Sequence, residues 1–150
     1  MKTRRPIIAG NWKMYKTVHE AEHLVKALLQ DLSDISGVDI VLCPPFTALS
    51  KVADMISNTN LRVAAQNMHW EDRGAWTGEV SPLMLNDFGA HLVELGHSER
   101  RTFFNETDET VALKAAAAVK HGLVALVCIG DTKSEYNAGA TADVLAKQTR

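Results

Sequence analysis

The chain has 150 residues, 46% of them apolar and 23% charged, with a formal net charge of −2, which is ordinary globular composition and enough length for one domain with a core. So small a charge offers no generic attraction to nucleic acid or to an anionic membrane. No apolar run approaches the roughly 20 residues that span a bilayer, and the Pro6-Ile7-Ile8-Ala9 stretch behind the basic residues 1–5 falls short of the roughly 7–15 apolar residues of a secretory signal.

Strand-like and helix-like segments alternate along the chain. Ile7-Ile8-Ala9 reads as a strand. Thr17 opens a helix, with Glu20 three residues on as a capping box, and Ala21, Leu24, Val25, Leu28 and Leu29 fall on one face. Residues 38–43 are a second strand, stopped by Pro44-Pro45, and a helix through Leu49, Val52, Ala53 and Ile56 follows. Residues 61–65 are a third strand. Ser81-Pro82 is an N-cap with proline at the first helical position, opening a short helix to about Asn86. Residues 91–95 are a fourth strand. An alanine-rich helix runs from about Thr107 to Lys120, ended by Gly122. Residues 123–129 are a fifth strand, and Thr141 opens a last helix.

Five strands with helices between and after them imply right-handed parallel crossovers. Val124-Ala125-Leu126-Val127 is apolar throughout, as in a strand covered on both faces. No Ser/Gly-rich linker interrupts residues 1–150, which predicts a single domain. The main irregular segment, residues 68–78, carries Trp70 and Trp76. Large aromatics on a surface loop favour an interface; the alternative is that both indoles fold back on their own domain. Cys43 and Cys128 sit in or beside apolar strands and read as buried free thiols of a reducing compartment, the cytoplasm by default.

Two strings carry the reactive side chains. Ala9-Gly10-Asn11-Trp12-Lys13-Met14 and Leu95-Gly96-His97-Ser98-Glu99-Arg100-Arg101 each close a strand. In a barrel of parallel strands the carboxyl ends of the strands hold the chemistry, so the two can meet in one site. A closed barrel of eight strand–helix units needs about 250 residues, more than the five units read here. Lys13 can hold a phosphate or a developing oxyanion as a point charge; on the tripeptide alone it can equally be a solvated lysine. His97 follows a glycine that lets the backbone turn and precedes what reads as the first turn of a short helix, whose positive end keeps an imidazole neutral; a structural histidine is the other reading. Glu99 lies near Lys13, Arg100 and Arg101 in this scheme and reads as a residue that orients Lys13 rather than as a general base. Alternation counted back from His97 puts Glu94 on the helix-facing side, where its carboxylate needs a partner.

No metal is expected. His19 and His23 share a helical face, as two zinc ligands on a helix do, but no third ligand accompanies them and they read as a solvated face. His69, His91 and His121 are scattered, and neither cysteine has a partner at ligand spacing. Gly130-Asp131 has no second glycine nearby, so no phosphate cradle or dinucleotide fingerprint is present and no cofactor is expected.

The chain resembles the amino-terminal part of the triosephosphate isomerase family. The resemblance rests on Ala9-Gly10-Asn11-Trp12-Lys13-Met14, Cys43-Pro44-Pro45, Ala65-Gln66-Asn67, Gly74-Ala75-Trp76-Thr77-Gly78-Glu79, Gly96-His97-Ser98-Glu99-Arg100-Arg101 and Cys128-Ile129-Gly130, in the family's order across nearly the whole chain. It implies a parallel (β/α) TIM-type barrel with about five of eight units in this chain, and interconversion of dihydroxyacetone phosphate and glyceraldehyde 3-phosphate through an enediolate. By resemblance His97 is the neutral electrophile at the carbonyl oxygen, Lys13 supplies positive charge, Asn11 helps hold the same oxygens, and Ser98 and Glu99 support them. Met14, Trp76 and Thr77 resemble the residues that meet a partner subunit. The family's glutamate base, lid and later phosphate loops find no counterpart in residues 1–150. The remaining strands are expected from a complementary carboxyl-terminal fragment or the edges from a second copy. The alternative is a non-catalytic half-barrel that binds or scaffolds.

Overall fold

A computed structural model describes residues 4–150; of the basic opening stretch, residues 1–3 lie outside the described residues. The elements in chain order are β1 (Ile7–Asn11), α1 (Val18–Asp31), β2 (Asp39–Cys43), α2 (Phe46–Ile56), β3 (Leu61–Ala65), α3 (Pro82–Asp87), β4 (Leu92–Leu95), α4 (Ser98–Phe103), α5 (Asp108–Lys120), β5 (Val124–Val127), α6 (Lys133–Asn137) and α7 (Thr141–Gln148). The strands form one parallel sheet in sequence order, with Ile7 opposite Asp39 and Asn11 opposite Cys43, Ala64 opposite Leu92, and Leu95 opposite Val127. This curled run of five parallel strands is part of a β/α barrel, as the resemblance implies.

Local chemistry explains most element starts. Thr17 accepts from the Glu20 amide and the Glu20 carboxylate accepts from Thr17, a reciprocal box that satisfies two otherwise orphaned donors of α1. Ser81 accepts from the Met84 amide ahead of Pro82, and Thr107 caps α5. The short α6 was not read from the sequence, although Thr132 and Glu135 form the same box there; five residues without an apolar face give no periodic signal.

The sheet has two faces with different neighbours. Leu42, Val63, Val93 and Leu95 pack outward against Leu49, Val52, Leu85 and Val111 of the helices, each such side chain contributing about 1.5–3 kcal/mol on burial. Val41, Cys43, Ala64 and Leu92 form a smaller inward cluster. The outer strands are less covered: Ile8 of β1 is 62% exposed and Val124 of β5 is 54% exposed. No helix of the described residues is long and apolar enough to cross a membrane.

Glu94 lies on the face opposite to the one the sequence predicts. Its neighbours Val93 and Leu95 face the helices, while Leu92, two residues away, lies in the inward cluster, so Glu94 faces inward too. It is buried, and its Oε1 accepts from the Cys128 thiol at 3.4 Å. The parity count from His97 fails because Gly96 has φ +72°, a left-handed kink that resets the alternation. The tryptophan loop is likewise divided. Trp70 packs against the core and stacks on His69 at 4.2 Å between ring centres, whereas Trp76 is half-exposed, 4.5 Å from the same imidazole.

Candidate active site

The ends of β1 and β4 converge. After β1, the Lys13 amide donates to Asn11 Oδ1 at 2.7 Å, and Lys13 takes φ +55°, a conformation that costs a non-glycine residue on the order of 1–3 kcal/mol and concentrates at functional sites. Gln66, just past β3, holds this turn: its Nε2 donates to the carbonyls of Lys13 at 2.9 Å and Cys43 at 2.7 Å. After β4, His97 is the N-cap of α4, and its Nδ1 accepts from the Glu99 amide at 3.2 Å. An accepting Nδ1 leaves the proton of a neutral ring on Nε2.

Lys13 Nζ meets Glu99 Oε1 at 2.8 Å, and Glu99 Oε2 lies 3.5 Å from His97 Nδ1. The structure thus brings Asn11, Lys13, His97 and Glu99 together. The hydrogen bond and charge of Glu99 raise Lys13 above the ordinary lysine range, and Lys13 in turn holds the Glu99 carboxyl below its ordinary range. Ser98 opens α4 and is exposed. A cleft of about 380 Å³ beside His97 is lined by Ser98, Cys128, Gly130 and Lys133. A fixed imidazole N–H donor and a nearby ammonium can stabilise an oxyanion. Asp131 also lines this cleft, and its Oδ2 accepts from the Thr141 hydroxyl.

Two thiols lie below the site. Burial, with the Glu94 charge adding to it, pushes Cys43 to about 12 and Cys128 to about 11; Cys43 is buried and Cys128 only half-buried. Met14 is 94% exposed, and Thr77 is exposed on the loop beside Trp76. His19 and His23 meet ring to ring on the exposed face of α1, Nε2 to Nε2 at 3.1 Å. Among the described residues no group of three or more His, Cys, Asp or Glu side chains is arranged to hold a metal.

Sequence reasoning missed a buried charged group behind His97. Glu106 accepts from the Gly96 amide at 3.1 Å and pairs with Lys114, which donates to Asn67 Oδ1 at 2.8 Å. A signal was present: Lys114 falls on the buried face of α5 with Val111, Ala117 and Ala118, and a lysine in an apolar stripe calls for a buried counter-charge. Gln66 gave no such signal, because its role depends on where three strands end.

The sequence matches the triosephosphate isomerase family over residues 6–150. A triosephosphate isomerase of Carboxydothermus hydrogenoformans is 51% identical over 145 residues, which cover 97% of this chain and 58% of that protein. An L-erythrulose-1-phosphate isomerase of Rhizobium rhizogenes is also 51% identical, over 94% of this chain and 54% of that protein. A crystal structure of triosephosphate isomerase from Bartonella henselae has a TM-score of 0.91 at 40% identity, covering 97% of this chain and 60% of the other. The chain therefore spans somewhat over half the length of these relatives.

Proposed function

Because the chain belongs to the triosephosphate isomerase family, we propose that it supplies the carbonyl-polarising half of an isomerase site for small phosphorylated sugars. The substrate pair is dihydroxyacetone phosphate and glyceraldehyde 3-phosphate. His97 donates from Nε2 to the carbonyl oxygen, and Lys13 adds positive charge as the enediolate forms. Asn11 holds the same oxygens, while Ser98 and Glu99 set the positions of His97 and Lys13. The base that removes the carbon-bound proton, the lid and the remaining phosphate contacts come from outside residues 1–150. In this reading the chain is one partial barrel domain, its strand edges are closed by a complementary carboxyl-terminal fragment or a second copy, and Met14, Trp76 and Thr77 meet the partner. The work is that of glycolysis and gluconeogenesis in the cytoplasm.

The observation that carries the reading is the meeting of Lys13 and Glu99 at 2.8 Å beside His97. A second substrate is favoured by two relatives named L-erythrulose-1-phosphate isomerase, 51% and 50% identical; the chemistry is the same on a ketose one carbon longer.

The test is a fusion of this chain to the later strands of the Carboxydothermus hydrogenoformans relative, assayed on both substrates. Turnover is expected, with a loss of about 10²–10³-fold on His97→Gln. A folded fusion that is idle on both substrates favours the scaffold alternative and contradicts the proposal.

A further inference from the structure

We propose that Glu106 is a positioning residue for His97, acting through the Gly96 peptide; its bearing on catalysis rests on the function proposed above. The last ladder bond between β4 and β5 at this end runs from the Cys128 amide to the Leu95 carbonyl, at 2.8 Å. Gly96 then leaves the sheet with φ +72°, and its peptide groups need other partners. Two side chains supply them. Glu106 Oε2 accepts from the Gly96 N–H at 3.1 Å, and Arg101 Nε donates to the Gly96 carbonyl at 2.8 Å. The position is crowded as well: a Cβ on Gly96 would stand 3.0 Å from Val111 Cγ2 and from Arg101 Nη2, and 3.2 Å from the Cys128 carbonyl oxygen. The residue that precedes His97 is therefore clamped at both ends.

Glu106 is itself fixed. Its side chain is 2% exposed, that of Lys114 is 7% exposed, and the two pair directly. Oε1 also lies 3.5 Å from Arg100 Nε. Lys114 carries on to Asn67 at the end of β3, so the clamp is anchored on a neighbouring strand. A buried ion pair of this kind contributes little net stability against apolar residues of similar volume. What it does here is set geometry. A buried Gly96 N–H without an acceptor must turn elsewhere; because it belongs to the Leu95–Gly96 peptide, its turning changes φ at Gly96 and so redirects the chain into His97, away from the Glu99 amide that fixes the tautomer.

Three forms of the 150-residue chain test this by nitrogen NMR of the His97 ring at alkaline pH, where the imidazole is neutral. The unaltered chain should give the signature of one tautomer, protonated at Nε2. Replacing the pair by apolar residues, Glu106→Leu with Lys114→Met, keeps the volume and removes the acceptor; the two ring signals should then move toward the tautomer average. Glu106→Gln with Lys114→Met removes the same charges but keeps a carbonyl acceptor for Gly96, and should restore the single tautomer. Unchanged ring signals in the folded leucine variant would overturn the proposal, as would failure of the glutamine variant to restore them. Should the leucine variant not fold, the Gly96 amide of the unaltered chain decides. Exchange slowed by on the order of 10²-fold or more supports the clamp, and free exchange overturns it. None of these readouts needs turnover, so they remain valid if the proposed isomerase activity is absent.

Discussion

Lys13 and Glu99 stand 86 positions apart in the sequence and meet at 2.8 Å, Nζ to Oε1. The contact ties the turn after β1 to the first turn of α4. The same carboxylate also lies 3.5 Å from His97 Nδ1 through its other oxygen. The Lys13 and Glu99 side chains are both about half-exposed, so the pair serves placement more than stability.

Glu99→Gln should return the Lys13 ammonium toward the ordinary lysine range, since Glu99 is the main cause of its elevation. The pair is intact through neutral pH. Glu99 is held low, so its contribution exists above the unfolded carboxylate range and fades as pH falls through its folded value. Lys13 is held high, so its contribution fades only as pH rises through its folded value. NMR titration of the Lys13 ε-methylene measures both arms; an unchanged lysine in the variant contradicts the contact.

Glu94→Met should stabilise the chain. Glu94 Oε2 is buried with no hydrogen-bond partner among the described residues, and leaving such a group unmade costs about 1–3 kcal/mol. The urea midpoint should rise accordingly. The same variant removes a charge that raises the Cys128 thiol, so alkylation of Cys128 should quicken. A lower midpoint with unchanged alkylation would mean that Glu94 has a partner outside residues 4–150.

The loop 68–78 should loosen in acid. Asp72 accepts from Lys120 at 3.2 Å and meets His121 at 2.7 Å, and these contacts, Lys120 first, hold its carboxyl low. The clamp is present above the unfolded carboxylate range and is lost as pH falls through the folded value of Asp72. Amide exchange across the loop should accelerate there, and Asp72→Asn should give the fast exchange at neutral pH. Slow exchange in the variant would show that Trp70 stacking alone holds the loop.

Sedimentation at micromolar concentration should show association. The outer strands β1 and β5 offer open edges with Ile8 and Val124 more than half exposed, and such edges template pairing. A cooperative, well-folded monomer would contradict this.

The alternating elements were legible because each has its own local signal. Thr17 with Glu20 and Ser81 with Pro82 mark helix starts, and the unbroken apolar run at β5 marks a strand, although the cover it predicts on both faces is missing: Val124 is 54% exposed because β5 lies at the outer side of the sheet. The candidate site was legible as far as its residues sit in contiguous strings, Asn11 to Lys13 and Gly96 to Glu99, which the structure brings side by side. What failed was any inference that crosses a kink or joins distant segments. The inward face of Glu94 was lost at Gly96, where one left-handed residue reverses the alternation. The Gln66 bridge and the Glu106–Lys114–Asn67 group depend on which strand ends lie side by side, and no local spacing encodes that. Trp70 and Trp76 look alike as composition, yet only packing separates the inward one from the half-exposed one.

Residues 1–150 are proposed to hold the electrophile and the cation of an isomerase site, with the base supplied from elsewhere. General base catalysis is worth about 10²–10⁴-fold, so the purified chain should interconvert dihydroxyacetone phosphate and glyceraldehyde 3-phosphate at or near the rate of buffer alone. Turnover by the chain alone at rates typical of enzymes, roughly 1–10³ s⁻¹, would contradict the account.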